Sequence, residues 1–475
     1  MEGPNHLNLI TAAVLLAWPI VAIYLFATLP VRQAVLWTIL AGYLVLPVNS
    51  AIKITAIPAL DKTSIPNLAA FVGCMIVLRR PIRVFRGFGL PEFLILSSLI
   101  SLVLTSETNG DDIFNGIVVQ GVGLYDAGSS ILLQIIALLP FFLGRELFCN
   151  ENDTEEILRV LVIAGLAYSL LVLFEIRMSP VLHLWLYGYF PAPNMGNEVR
   201  TGLFGGFRPF VFVGTGLLLS FFVMTTAVAA AAFWRTGTPV MRAIRVPASA
   251  VTAYLSVLLA LCKSLGALAY GVVLVPMVGF VSPKLQVKFA VVMVCVALLY
   301  PVLRSADAVP TNSVLNFAGS ISTDRRDSLQ TRFDIENQLL ARAHQRFLFG
   351  WGRWGRSFFF DKDGRLTTHP DGLWVIIIGE FGLIGFLTEF GLLALPVFRM
   401  ASALSFASSQ KEKVFIAALV LILAVNIFDL IPNSPLRPWT WLIAGALLGR
   451  AEMLRASARQ LKKAALTSLS PAANA

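Results

Sequence analysis

Apolar residues run unbroken along most of the chain, with polar residues gathered in the gaps between runs. The runs are about 15–25 residues long, which matches the ~20-residue helix that crosses ~30 Å of hydrocarbon at 1.5 Å per residue. They fall near 9–29, 34–50, 64–78, 90–105, 131–143, 157–176, 209–233, 248–262, 265–282, 289–303, 373–398, 414–432 and 439–449. This pattern predicts an all-α polytopic bundle of 12 or 13 spans. Continuous apolarity excludes a transmembrane β-barrel, whose strands alternate between lipid and lumen. The first run has no lysine or arginine before it and is too long for a signal-peptide core, so it is expected to remain in the mature protein.

Charge sorts the gaps. Only 13% of the 475 residues are charged, against roughly a quarter in soluble domains. Basic residues occupy alternate gaps: Arg79, Arg80, Arg83 and Arg86, then Arg145, then Arg235, Arg242 and Arg245, then Lys284 and Lys288. Arg399, Lys411 and Lys413 continue the series, and Arg450, Arg455, Arg459, Lys462 and Lys463 close it. By the positive-inside rule these gaps are cytoplasmic, and the longest gaps, 106–130, 177–208 and 304–372, face the other side. With the C-terminus inside, 13 spans put the N-terminus outside; one re-entrant segment among the first three restores 12. The net charge of +10 is thus explained by basic loops meeting anionic lipid, and nucleic acid is not expected as a partner. Cys74, Cys149, Cys262 and Cys295 lack metal-site spacing and read as small packing residues. The chain divides into an N-terminal bundle (1–303), a large loop (304–372), C-terminal spans (373–449) and a basic tail (450–475). No repeat or matched pair of Gly/Pro-broken spans is visible, which counts against a transporter.

The large loop is too long for a passive connector. Within 327–349, Leu329, Phe333, Leu340, Ala343 and Phe347 recur at helical intervals, with Arg332, Arg342 and Arg346 off the stripe. An amphipathic helix is expected, lying on the membrane or over the bundle mouth. Before it stands Asp324-Arg325-Arg326-Asp327, and after it Phe349-Gly350-Trp351-Gly352-Arg353-Trp354-Gly355-Arg356. Glycines let backbone approach a ligand closely and arginines grip phosphate in bidentate fashion; the plainer reading is an interfacial belt of tryptophan and arginine.

Next comes Thr367-Thr368-His369-Pro370-Asp371-Gly372, then a span containing Gly379-Glu380-Phe381-Gly382-Leu383-Ile384-Gly385. This stretch resembles the signature of the O-antigen ligase and polymerase superfamily of bacterial membrane glycosyltransferases. In that family a histidine and a small polar residue precede a Gly-x-x-Gly pair by nine residues. Here Asp371 and Gly372 hold those positions, and His369 lies two residues early. Lys263-Ser264-Leu265-Gly266-Ala267 is similar to the family's Ser-Arg-Gly-Ala stretch, and 200–209 to its arginine-bearing external loop. The likeness spans roughly 130–450, with one sharp motif, in 349–385.

The resemblance implies a large membrane glycosyltransferase of the GT-C-like type in the bacterial inner membrane, with a periplasmic loop carrying the amphipathic helix. It implies a donor glycan on undecaprenyl pyrophosphate and, as acceptor, a sugar hydroxyl of a glycan or lipid A-core. A glycosyl diphosphate leaves as a stable anion, so the site must hold negative charge and orient or deprotonate a hydroxyl. Neither metal nor cofactor is required; Asp111 and Asp112 are too small a cluster to argue for Mg²⁺. Arg200, Arg208, Lys263, Arg326 and Arg332 are the expected pyrophosphate ligands, although cations beside spans also snorkel to headgroups. Lys263 interrupts apolar sequence, where a charge at mid-membrane costs ~2.5–3.5 kcal/mol. For the base, Asp371 and His369 stay open, as does loss of activity. Partial desolvation would make Asp371 a better proton acceptor, and an aspartate before a helix is also a common N-cap. Glu380 fits the family pattern as a structural acid, His183 and His344 read as bland, and Asp429 with Asn433 and Arg437 is an ion pair or a cavity wall. The rival classes are a transporter or flippase of lipid-linked glycans and a non-catalytic member of an export complex.

Overall fold

The computed structural model describes residues 5–54, 57–79, 81–114, 117–191, 206–241, 246–361, 366–368 and 370–468. The first elements are α1 (Leu9–Thr28), α2 (Val31–Val45), a hairpin of β1 (Ile52–Ile54) and β2 (Ile57–Leu60), α3 (Ser64–Leu78) and α4 (Leu90–Glu107). A second hairpin, β3 (Asp112–Phe114) and β4 (Ile117–Val119), precedes α5 (Leu124–Leu147), α6 (Asp153–Met178) and the short α7 (Leu182–Tyr187). Then come α8 (Gly216–Thr236), α9 (Ala248–Leu261), α10 (Leu265–Phe280) and α11 (Pro283–Ser305). The large loop holds α12 (Thr311–Ile321) and α13 (Thr323–Gln345), and α14 (Leu373–Ala403), α15 (Gln410–Asp429) and α16 (Pro438–Ser468) follow.

Each of the 13 apolar runs lies on a helix. Seven helices among the described residues, α1, α4, α5, α6, α8, α11 and α14, are long and apolar enough to cross a membrane, and α2, α3, α9 and α10 are shorter apolar helices. The chain is a multi-pass all-α membrane protein. Its centre is α8 and α15, whose side chains are almost all buried, because an alanine run from Ala229 to Ala232 lets neighbouring helices close in. The closest seam joins α5 to α16. A methyl group on Gly445 would collide with the carbonyl oxygen of Phe141, one on Gly144 with that of Leu442, and one on Gly449 with that of Arg145.

The basic gaps meet at one end of this bundle. There Arg145 bonds Glu92 at 2.8 Å and Glu452 at 2.6 Å, Arg86 bonds Glu146 at 2.8 Å, Arg32 bonds Asp153 at 2.9 Å and Lys411 bonds Glu155 at 2.8 Å. Arg80, Arg242 and Arg245 lie outside the described residues. The long gaps share the opposite end: Asn109 donates to the Gly350 carbonyl at 2.9 Å, and Lys263 to that of Gly206.

One span is broken. Gly382 in α14 has φ 67° and ψ −164°, which no helix contains. Backbone groups freed inside a membrane bundle must find partners in protein. The segment after α13 supplies them. Trp351 and Gly352 donate to the carbonyls of Gly379 and Glu380, both at 2.8 Å, while Leu383 donates to Phe347 at 2.8 Å and Ile384 to Leu348 at 3.3 Å. Gly350, at φ 66°, lies so close that a Cβ there would be 2.5 Å from the Glu380 carbonyl carbon.

Two stability outcomes follow from this packing. Gly382→Ala adds a methyl into the backbone of Leu348 at a positive φ, and should lower stability in detergent by about 3 kcal/mol; Gly391→Ala on the same helix meets only Leu94 at 3.6 Å and should change it little. Outside the helices, Lys62 is buried with its ammonium donating to the Phe212 carbonyl at 3.0 Å over the Tyr43 ring, and burial pushes it down to about 7. Between pH 7 and its ordinary 10.5 the unfolded chain therefore holds a proton that the folded chain lacks, so this residue makes stability rise with pH. Melting temperatures from pH 7 to 9 should climb for the native protein relative to Lys62→Met.

Candidate functional site: a basic groove at the loop end

Three turns of sequence build a groove of about 800 Å³. Lys263 occupies the turn between α9 and α10 at φ 56°, a left-handed conformation that a lysine adopts only at a cost of order 1–3 kcal/mol. It therefore stands at the end of two spans, away from mid-membrane, and burial lowers its ammonium from the usual lysine range. Arg208 precedes α8 and lies across Gly216, where a Cβ would be 2.6 Å from its Nε. Arg325 and Arg332 come from α13, seven residues apart and hence on one helix face. Val314, Phe317 and Ala318 of α12 form an apolar wall.

What fixes α13 is a buried ion pair. Glu336 meets Arg304 of α11 at 3.2 Å and accepts from the Tyr300 hydroxyl at 3.3 Å, and Arg304 also donates to the Phe333 carbonyl at 3.2 Å. Burial raises Glu336 above the usual carboxylate range, against the pull of Arg304. One turn earlier on the same face, Arg332 bonds Asp371 at 2.9 Å, with side chains 41% and 48% exposed. Asp371 lines a small hollow of about 70 Å³ that adjoins the groove, and Arg332 borders both. The next residues dock α14 on α15, with Leu373 donating to Leu430 at 3.0 Å.

The expected ligands thus come together in part. Arg208, Lys263 and Arg332 share the groove, and Asp371 reaches it through Arg332. Arg326 does not line it: it is exposed, with its stem beside Gly319. Neighbouring helical residues differ by about 100° around the axis, so when Arg325 faces the groove Arg326 turns from it. The seven-residue spacing from Arg332 was the signal for Arg325. Arg200 and His369 lie outside the described residues.

The glycine-rich turn has a different role from the phosphate grip expected of it. Its glycines bring backbone against the break in α14, and Arg356 holds protein carbonyls. Arg342, expected off the apolar stripe, is buried 4.1 Å from the Trp351 ring and donates to the Arg356 carbonyl at 2.8 Å. Arg356 donates to Trp351 and Gly110, both at 2.9 Å. Asp111 and Asp112 accept backbone N–H bonds at 2.6 and 2.9 Å. The helix of the large loop starts and ends about four residues earlier than its apolar stripe suggested, which leaves Phe347 exposed. His183 is buried against the Tyr189 carbonyl at 2.9 Å, His344 is exposed, and Asp429 forms a buried pair with Arg437 at 3.1 Å.

Comparison with protein-family models and with curated proteins finds no match.

Two ion pairs on one helix should separate by stability. Arg304→Met strands the buried Glu336 carboxylate and should cost about 3 kcal/mol in unfolding measurements. Arg332→Ala removes a half-exposed pair and should cost under about 1 kcal/mol.

Proposed function

We propose that the chain transfers or polymerises a glycan carried on undecaprenyl pyrophosphate, placing it on a sugar hydroxyl at the periplasmic face of the bacterial inner membrane. In this reading it is a metal-independent glycosyltransferase of the O-antigen ligase-like or polymerase-like kind, GT-C-like in architecture, with its loop end periplasmic and its basic end cytoplasmic. The observation that carries the reading is the convergence of Arg208, Lys263, Arg325 and Arg332 on one groove, with Arg332 2.9 Å from the carboxylate of Asp371.

The chemistry needs little more. The pyrophosphate is held by the groove cations and the start of its prenyl chain meets the apolar wall of α12. The acceptor hydroxyl attacks the anomeric carbon as the bond from that carbon to the phosphate oxygen breaks, and the electron pair leaves with the undecaprenyl pyrophosphate. Asp371 takes the hydroxyl proton. Groove cations stabilise charge that grows on the leaving group, which is where fixed positive charge lowers the barrier. Arg332 also aims the Asp371 carboxylate.

A second reading, transport of the same lipid-linked glycan, draws support from the broken α14, since discontinuous spans are a feature of transporters. The two readings part on a transfer assay. Native protein in proteoliposomes, given lipid-linked glycan extracted from cells lacking the protein and a glycan acceptor, should form product; Arg332→Ala and Asp371→Asn should each lower the rate about 100-fold. Native-like transfer by both variants, or a reporter at position 340 that proves cytosolic, would defeat the proposal.

A further inference from the structure

Away from the groove, a second cavity of about 340 Å³ opens between α3, α4, α5, α14 and α16. No residue of the groove lines it. It runs along α14 from Leu373 to Glu389, roughly 24 Å at 1.5 Å per residue. Its polar wall is made by the break. On an unbroken helix, residues nine apart point about 180° from each other, so Glu380 and Glu389 would face opposite ways. The turn at Gly382 lets both line one cavity.

The hydrogen-bonding capacity left in this wall is unbalanced. Gln134 donates to Glu389 at 2.7 Å, and Asn67 donates through Nδ2 to the Ile136 carbonyl at 3.1 Å. That leaves Asn67 Oδ1 and Ser101 Oγ without a hydrogen-bond partner among the described residues, and both residues are only 2% exposed. Glu380 and Glu389 bring two carboxylates to the lining, against the single guanidinium of Arg353, while Asp61, also in the lining, already accepts from Thr63 and Ser64. Arg353 lies over the Phe381 ring at 5.2 Å. The wall therefore offers acceptors and asks for donors. Buried acceptors left unmade cost about 1–3 kcal/mol each.

Size and surface choose among donors. The volume falls in the range of small-molecule sites, about 300–1,000 Å³, and is far larger than a desolvated ion needs. A single ammonium, with three donors on one nitrogen, would fill only a small part of this volume and could not reach acceptors spread along it. A sugar residue brings several O–H donors at once, spread over its rim, and its C–H faces suit the remaining lining of Leu102, Leu133, Ile377, Phe381 and Trp441.

We propose that this cavity is a saccharide site, taking a neutral sugar whose hydroxyls donate to Glu380, Glu389, Asn67 Oδ1 and Ser101 Oγ. As a binding site it stands alone. As the acceptor site it rests on the transfer reading above, and the chain brings the two together: Leu373 at the cavity and Asp371 beside the groove are two residues apart, at most about 7.6 Å between Cα atoms.

The test is saturable thermal stabilisation of the full-length protein in detergent, with glucose, galactose, rhamnose, N-acetylglucosamine and maltose as probes. At least one should raise the melting temperature saturably. Its half-saturation should increase at least tenfold in Glu389→Gln and in Ser101→Val, while Arg326→Ala, remote from the cavity, responds like the native chain. Should Glu389→Gln fail to fold, Ser101→Val carries the comparison. The proposal is overturned if no probe acts, if the response is the same in the cavity variants, or if sodium chloride in place of choline chloride stabilises saturably while the sugars do not. The transfer assay on the same preparations keeps the two ideas apart: transfer without a saccharide response removes the cavity assignment alone, and a response without transfer removes the enzyme reading alone.

Discussion

A backbone interrupted inside a membrane bundle has no water to turn to, and the loop end of this protein is organised around that constraint. The break at Gly382 exposes two carbonyls and two amides, and residues 347–352 answer all four. Thr105 and Asn109 at the end of α4 then hold the carbonyls of Phe349 and Gly350, at 2.6 and 2.9 Å. The large loop is thus tied to two spans through its main chain. Because α13 ends at this tie and is pinned again through Glu336 and Arg304, the arginines it presents are carried on a rigid element.

The arginines divide by what surrounds them. At the basic end, Arg86 and Arg145 are matched by Glu92, Glu146 and Glu452, a closed network between α4, α5 and α16. At the loop end, Arg342 and Arg356 hold main-chain carbonyls, and Arg437 holds Asp429 and stacks 3.9 Å from the Phe221 ring. These cations are each held against a carboxylate or a main-chain carbonyl within the packed fold. The groove differs in that four cations crowd together, Lys263 on the Gly206 carbonyl and Arg332 on Asp371, in a lining whose other members are hydroxyl, glycine and apolar residues. Local surroundings, and not the count of basic residues in the loop, set the two kinds apart.

The fold was legible because a bilayer imposes one length and one polarity on every span, and the apolar runs carry that signature directly. Arg208, Lys263 and Asp371 were legible as charges at the ends of spans, and Arg332 as a cation off the apolar stripe of the loop helix. Arg325, not Arg326, lines the groove, a distinction hidden in the sequence because adjacent residues are equivalent until the helix phase is known, and the buried Glu336 that fixes this phase reads as a polar position. The glycines of 350–355 matched a ligand-gripping turn because close approach to a helix backbone and close approach to a phosphate demand the same residue. Glu380 and Glu389 escaped pairing for a related reason: helical arithmetic separates them, and only the non-helical ψ at Gly382 reunites them.

The seam between α5 and α16 has a consequence for biosynthesis. Gly144 belongs to a helix made about 300 residues before Gly445 and Gly449 emerge. Until then α5 has lipid or a neighbour's tail along a face shaped for bare backbone, and Arg145 waits for Glu452. The native bundle can close only once α16 has been made, so a chain halted before 438 would leave the membrane-insertion machinery with an open flank along α5.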